Sequence, residues 1–237
     1  MSIPIHDRDA AVLVSGGVDS AILCVELLKE YSGVHPIYVR FGLRWEEAEL
    51  ACLESFLNAV SPTRPGIHRL TVLDEPIAQV YGEHWSNPGG AGFAVPGAET
   101  EAGAVYLPGR NILLATKSAV WCRLREVHSL AFGTLNGNPF LDSTPEFFSD
   151  LESLLNRAMH GRLRILRPFE RRTKSEILRL GANLPLHLTQ SCLNPVNRRH
   201  CGACNKCAER QRGFREAGWV DHTLYSSNPR MDDRSSL

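Results

Sequence analysis

The sequence predicts an α/β fold, a parallel sheet covered on both faces by helices, with a small metal-binding segment towards its C-terminal end. Three observations carry this. Residues 10–14 (AAVLV) are apolar on both faces, as a buried parallel strand must be. Strand-like runs alternate with helix-length amphipathic stretches along most of the 237 residues. Four of the seven cysteines crowd into residues 192–207, a density of soft metal ligands that a helix-covered sheet does not itself require.

The elements follow in order. After the strand at 10–14, residues 20–29 have helical spacing, with Ile22, Leu23, Leu27 and Leu28 on one side. Residues 35–41 (HPIYVRF) and 67–72 (IHRLTV) are the next strands, with a helix over 44–58 between them. A helix over 111–124, a short strand over 129–133, and helices over 144–159 and 173–183 complete the alternation. Residues 88–109 carry six glycines and three prolines, which predicts a mobile loop or lid. Residues 226–237 (SSNPRMDDRSSL) predict a disordered tail. The expected organisation is an α/β domain over 1–190, with the cysteine-bearing segment over 191–225 packed on it.

Lys+Arg and Asp+Glu are both 26, and the isoelectric point is near 7.1. A protein that lives on bulk nucleic acid carries a basic excess, so no nucleic-acid partner is expected. No apolar run of roughly 18 residues predicts a membrane span, and the N-terminal stretch lacks the regions of a signal peptide. The expected location is cytoplasmic. Cys24, Cys52 and Cys122 fall within apolar helical patterns and read as buried small hydrophobes.

The stretch Ser15-Gly16-Gly17-Val18-Asp19-Ser20 follows the first strand directly. Glycines let the backbone turn tightly and approach a ligand with no Cβ in the way. Backbone N–H groups and the positive end of the next helix then face one spot, which suits a phosphate. Ser15 and Ser20 add hydroxyl donors. Asp19 beside phosphate makes sense with a divalent cation between them, and carboxylate plus phosphate oxygens suit Mg²⁺. A plain helix cap uses the same residue types. No Gly-Lys-Ser/Thr follows, so this is not a Walker loop, and it is not a G-x-G-x-x-G turn. The hexapeptide resembles the PP-loop of the ATP pyrophosphatases, which holds the departing pyrophosphate of ATP.

Cys192-x8-Cys201-x2-Cys204-x2-Cys207 offers four thiolates in one short stretch. Four cysteines leave no open position for water, which predicts a structural zinc. An iron–sulfur cluster or a redox cysteine pair would use the same residue type. Arg198, Arg199, Lys206, Arg210 and Arg212 nearby read as a solvated basic face that offsets the thiolate charge.

Taken together, the two motifs resemble the 7-cyano-7-deazaguanine synthase family of queuosine biosynthesis. The resemblance spans about residues 10–215 and rests on SGGVDS at 15–20, FGLRWEEAEL at 41–50, LPGRN at 107–111, RRTKSEI at 171–177 and SCLN…CGACNKC at 191–207. It implies a Rossmann-like parallel sheet of the adenine-nucleotide α-hydrolase type, with ATP, ammonia and 7-carboxy-7-deazaguanine as substrates. A homodimer is expected. The implied route adenylates the carboxylate, forms an amide with ammonia, activates the amide with a second ATP and loses AMP to leave the nitrile. Ser15, Gly16, Gly17, Val18 and Ser20 would cradle the pyrophosphate, Asp19 would help to hold Mg²⁺, and Arg44 would reach ATP. Lys174 would neutralise the α-phosphate, although Thr173-x-x-Glu176 is also a capping-box pattern. Arg110 places a fork of donors at a helix N-terminus, suited to carboxylate or phosphate. Glu46, Glu47 and Glu49 read as a solvated helix face.

Members of that family carry a segment close to E-x-D-x-S-G-Y-P-D-C-R after the fourth strand. Residues 133–144 here read GTLNGNPFLDST. Asp142 matches the later aspartate, whereas the earlier aspartate and the arginine are missing. Asn136 and Asn138 stand nearby, and with Asn111 and Asp142 they are the expected contacts to the deazaguanine base. An Asn offers one acceptor oxygen and a donor where a carboxylate offers only acceptors. Three other readings share the residues: a ligase that stops at the amide after capture by an amine of a protein or other partner, a non-catalytic nucleotide-binding module, and a tRNA-thiolating enzyme, which would want a basic surface.

Overall fold

A computed structural model describes residues 8–88 and 94–226; the tail predicted over 226–237, apart from Ser226, and the centre of the predicted lid lie outside the described residues. Five strands form one sheet: β1 (Asp9–Leu13), β2 (Gly33–Arg40), β3 (Thr71–Asp74), β4 (Ser129–Ala131) and β5 (Arg164–Leu166). Their order is β3-β2-β1-β4-β5, and every pairing is parallel, as in Asp9↔Gly33, Ala11↔Leu130, Ile37↔Thr71 and Leu130↔Ile165. The order reverses between β1 and β4. Crevices beyond the carboxyl ends of strands at such a reversal are where open α/β sheets bind ligands.

Among the described residues seven α-helices flank the sheet: α1 (Val18–Glu26), α2 (Glu46–Val60), α3 (Ala78–Tyr81), α4 (Arg110–Leu124), α5 (Pro145–Met159), α6 (Lys174–Leu180) and α7 (Asn205–Ala217). Alternate strand residues face opposite sides. Ala11, Leu13, Ile37 and Val39 pack with Ala115, Ala119, Phe148 and Leu151 of α4 and α5. Val12, Val34 and Tyr38 pack on the other side with Ile22, Leu23, Phe56, Ile177 and Phe214 of α1, α2, α6 and α7. This two-sided burial explains why β1 and β2 read as continuous apolar runs.

Three elements differ from the sequence-based expectation. The strand predicted over 67–72 begins at Thr71. Ile67 makes one isolated bridge to Val34, with its N–H turned back to the Arg64 carbonyl, so the chain touches β2 and leaves it before pairing resumes. β5 escaped notice because it is three residues long and opens with an arginine at the sheet edge. α7 escaped because NKCAERQRGFREA has little apolar periodicity; it buries Cys207, Arg210, Gly213 and Phe214 instead. Among the described residues no helix is long and apolar enough to cross a membrane. Cys24 and Cys122 are fully buried, as expected, and burial pushes both thiols up to about 12; Cys52 is only half-buried.

Candidate functional site

The turn after β1 meets the reversal point of the sheet. Gly16 has φ +72, and a Cβ there would stand 2.8 Å from the Glu49 carbonyl oxygen, so only glycine fits. Gly17 caps α1 with no side chain on the helix end, which leaves the first-turn N–H groups for an outside acceptor. Ser20 Oγ accepts from Ser15 N–H at 3.1 Å and donates to the Gly17 carbonyl at 3.2 Å, which ties the turn to its helix. Gly133, just past β4, lies against the turn, where a Cβ would make ordinary contact 3.5 Å from Ser20 N. Gln190 N–H holds the Gly16 carbonyl from below at 2.7 Å. Val18 sends its side chain into the core, so only its backbone is available to a ligand. Together Ser15, Gly17 and Asp19 open onto a cleft of about 240 Å³.

Across this cleft stand charges contributed by α6 and α7. Lys174 Nζ donates to Asp19 Oδ2 at 2.6 Å and lies 3.1 Å from Glu209 Oε1, while Lys206 pairs with Glu209 Oε2 at 2.6 Å. α7 comes this close because its residue 213 is glycine; a Cβ there would collide with Lys174 Cγ. Burial works against the Lys174 ammonium, but Asp19 and Glu209 outweigh it and hold its pKa above the usual lysine value. Burial likewise opposes the Glu209 carboxylate, and Lys174 and Lys206 overcome it, bringing Glu209 down to about 2. Asp19 Oδ1 is buried without a hydrogen-bond partner. The capping box of α6 is real, with Thr173 and Glu176 bonded reciprocally, yet Lys174 is not the solvated side chain that pattern alone would allow.

On the opposite wall, Gly109 at φ +74 turns the chain into α4 and delivers Arg110 to the cleft and to the two spaces beside it. Arg110 Nε is buried without a partner. Near it Tyr38 donates to Glu49 Oε2 at 2.9 Å. Burial pushes the Glu49 carboxyl up to about 8 against the opposing pull of Arg110 and the Tyr38 hydroxyl. Glu46 accepts from the N–H groups of Phe41 and Gly42, each at 2.7 Å. Glu46 and Glu49 are therefore buried groups that shape the loop after β2, a correction to their reading as a solvated face; Glu47 alone is exposed. The signal was present in a tyrosine on a strand followed by acids at i and i+3 on the next helix.

The cleft continues into a larger cavity of about 610 Å³, lined by Asn111, Asn136, Asn138 and Asp142 among others. Asn111 sits at the start of α4 and bonds Asp142 twice, through its N–H to Oδ2 at 3.4 Å and its amide to the carbonyl at 2.8 Å. Asp142 Oδ1 stays buried and unpartnered, and burial raises the Asp142 pKa. Asn138 accepts from Phe140 N–H at 3.0 Å, and Phe140 packs on Tyr106 at a centroid distance of 5.1 Å. The structure thus brings together Ser15, Gly17, Asp19, Arg110, Lys174 and the 111/136/138/142 set. It does not bring Arg44 among them. That guanidinium donates to the Asn87 carbonyl at 3.2 Å, and Arg44 N–H is tied to the neighbouring Ser86 carbonyl. Glu209 and Gln190 line the cleft without having been foreseen; the Lys206-x-x-Glu209 spacing was the available clue to the first.

The four cysteines converge as the spacing predicts. Their sulfurs all lie within 4.8 Å of one another, with Cys192–Cys204 at 3.9 Å and Cys201–Cys207 at 4.0 Å. A tetrahedron with metal–sulfur bonds of about 2.3 Å has edges of about 3.8 Å, so the set fits a tetrahedral metal. The N–H groups of Leu193, Asn194, Cys201 and Ala203 point at the sulfurs from 3.2–3.4 Å, which favours thiolates. Arg210 is no part of a solvated basic face. Its side chain is 1% exposed and is held by Asp221 at 3.2 Å, Thr189 at 2.8 Å and the Leu186 carbonyl at 2.8 Å. Residues 94–109, the described part of the predicted lid, are tied to this segment by the Gly97–Cys204 bridge and by Asn205 N–H to the Pro96 carbonyl at 2.9 Å.

A parallel α/β sheet with an open glycine turn at its reversal point, basic groups around the turn and a four-thiol cluster beside it defines a nucleotide-type binding fold with a C-terminal segment whose cysteines could hold a metal. Residues 9–218 match the family described as Queuosine biosynthesis protein QueC, and the chain belongs to that family. It is 30% identical over 224 residues to a 7-cyano-7-deazaguanine synthase of Methanothrix thermoacetophila, covering 91% of this chain and 98% of that one. It is 31% identical over 233 residues to a 7-cyano-7-deazaguanine synthase of an Anaeromyxobacter species, covering 92% and 96%. Among solved structures, the U34-tRNA thiolase NcsA of Methanococcus maripaludis superposes at a TM-score of 0.47 with 13% identity, covering 89% of this chain and 67% of that one.

Proposed function

We propose that the protein activates the carboxylate of 7-carboxy-7-deazaguanine with ATP and converts it, with ammonia, to 7-cyano-7-deazaguanine. One observation carries the reading. The uncapped turn at 15–20 and the Lys174 and Arg110 cations face a cleft that opens directly into the cavity holding Asn111 and Asp142. Phosphates and a guanine-like acid would therefore meet at the boundary between the two spaces.

A carboxylate is a poor electrophile, and adenylation turns one of its oxygens into part of a leaving group. The substrate carboxylate oxygen attacks the α-phosphorus and pyrophosphate departs. The N–H groups after Gly17 and the Ser15 hydroxyl accept the departing charge, while the Lys174 ammonium faces the phosphorus as charge builds there. Ammonia then adds to the acyl carbon and AMP leaves, giving the amide. The amide oxygen repeats the attack on a second ATP with departure of pyrophosphate, and loss of AMP and of both amide N–H protons gives the nitrile. Arg110 orients the substrate carboxylate beside the phosphates. Asp142 Oδ1, unpartnered in the cavity wall, accepts an N–H of the base. Asp19, through its free Oδ1, would help hold Mg²⁺, which neutralises phosphate charge when bound. The cysteine set, closed on all four sides, would hold a structural Zn²⁺ that fixes α7, and with it Glu209, against the cleft.

Incubation of metal-loaded protein with ATP, Mg²⁺, ammonia and the acid, followed by mass spectrometry, tests this. The expected products are the nitrile and two AMP per turnover. A stable amide with one AMP would remove the second stage, and the absence of both products would overturn the substrate assignment.

A further inference from the structure

The opposite end of the sheet carries a second cluster that the proposed reaction does not use. Asp9 opens β1, His35 lies near the start of β2, and His68 follows the bridge between Ile67 and Val34. Three neighbouring segments thus gather one carboxylate and two imidazoles at the amino ends of the strands. Asp9 Oδ2 is 3.0 Å from His35 Nε2 and 3.4 Å from His68 Nε2. The two rings stack with centroids 3.9 Å apart and planes 3° apart, and all three ligand atoms lie within 4.8 Å of one another. Gly33 forms the floor. A Cβ there would stand 2.6 Å from both Asp9 Cγ and His68 Nε2, so any other residue would press into the space the three side chains share.

We propose that Asp9, His35 and His68 form a binding site for a divalent transition cation of the zinc class, separate from the four-cysteine cluster. Metal–ligand bonds of about 2.05 Å give ligand–ligand edges of roughly 3.3 Å in a tetrahedron and roughly 2.9 Å in an octahedron. The two observed carboxylate–imidazole distances match these edges. Two imidazoles with one carboxylate suit Zn²⁺, Co²⁺ or Ni²⁺, whereas Mg²⁺ and Ca²⁺ take all-oxygen sets. The side chains are 21% to 46% exposed, so water completes the coordination. His35 is backed by the Trp121 ring at 5.4 Å. His68, the most exposed of the three, has room to tilt until its Nε2 lone pair converges with that of His35. In the metal-free chain a hydrogen bond joins His35 to Asp9 and His68 approaches the same carboxylate oxygen, and the cation takes the place of the bridging proton. Arg125 opposes it: its guanidinium lies over Trp121 at 4.6 Å and acts on His35. The site therefore binds more weakly than the cysteines do.

Tag-free full-length protein titrated with Zn²⁺ in equilibrium dialysis, and with Co²⁺ in parallel by absorption, tests the proposal. Two ions per chain are expected. The tighter Co²⁺ gives thiolate-to-metal charge transfer, and the weaker gives ligand-field bands without it. His68→Ala, at a half-exposed position that the fold tolerates, and Asp9→Asn each weaken the second ion by at least about tenfold and leave the thiolate band unchanged. Binding of a single ion per chain by the unaltered protein, or a second ion that survives both substitutions, overturns the assignment.

Discussion

Glu49 is the group whose titration is most clearly written into the fold. It sits on α2 behind the glycine turn, buried, with Tyr38 on one oxygen and Arg110 nearby, and its pKa stands at about 8 against an ordinary 4.5. Below pH 4.5 it is protonated both folded and unfolded. Between 4.5 and 8 the unfolded chain gives up the proton while the folded chain keeps it, so Glu49 progressively destabilises the fold as pH rises. At pH 8 the accumulated cost is on the order of 4 kcal/mol. Glu49→Gln keeps the shape and an acceptor for the Tyr38 hydroxyl but cannot ionise. Urea denaturation of both proteins at pH 5 and pH 8, with metal held in constant excess, cancels the contribution of every other titrating group that the substitution leaves alone. The variant should gain stability relative to the parent between the two conditions, by an amount of that order. Two stability profiles that run parallel from pH 5 to pH 8 would refute the assignment of a raised Glu49, and with it the claim that Arg110 faces an uncharged neighbour at neutral pH.

Three further outcomes follow from the same geometry. Lys174→Ala removes the cation opposite the turn and should lower AMP release by roughly 10²–10³-fold, with a smaller loss in calorimetric binding of a non-hydrolysable ATP analogue. Gly16→Ala forces a side chain into φ +72 and against the Glu49 carbonyl; a stability loss of about 1–3 kcal/mol together with lost ATP binding is expected in thermal melts with and without nucleotide. Cys204→Ser should reduce bound metal at the cysteine set and free residues 94–109 from Gly97 onward, read as new cleavage in that stretch on limited proteolysis.

The sheet was legible because β1 and β2 are buried on both faces and so carry an uninterrupted apolar signal, with helices of ordinary length between strands. The glycine turn and the cysteine set were legible because each packs its chemistry into a few consecutive residues. Arg210 was misread for the opposite reason. In sequence it is one of five cations near the cysteines, and only folding shows that Asp221 and the Leu186 carbonyl meet it in the interior. Glu49 looks like part of an acidic helix start until the loop after β2 folds over it. Arg44 was expected at the ligand by adjacency to a recognisable motif, whereas its guanidinium here meets the Asn87 carbonyl. Local grammar reports which chemistry a segment carries; burial, which decides what that chemistry is worth, is a long-range property.

The cleft itself shows why these distant residues need one another. Asp19, Lys174, Lys206 and Glu209 come from three helices and form two acids and two bases already paired within the cleft. Such a cluster presents little net charge. On the proposed reading, a polyphosphate can enter only by taking Lys174 from Asp19, which would leave an uncompensated carboxylate facing phosphate. On that reading the buried, unpartnered Oδ1 of Asp19 is where a divalent cation would restore the balance, and nucleotide and cation would enter as a pair. Glu209 would keep Lys174 in place through that exchange, because it offers the ammonium a second partner at 3.1 Å and is itself held by Lys206. On the same reading a metal held by Cys204 and Cys207 would lock the start of α7, and with it Glu209. The cysteine cluster would then bear on phosphate chemistry without touching a phosphate, through the rigidity of one helix.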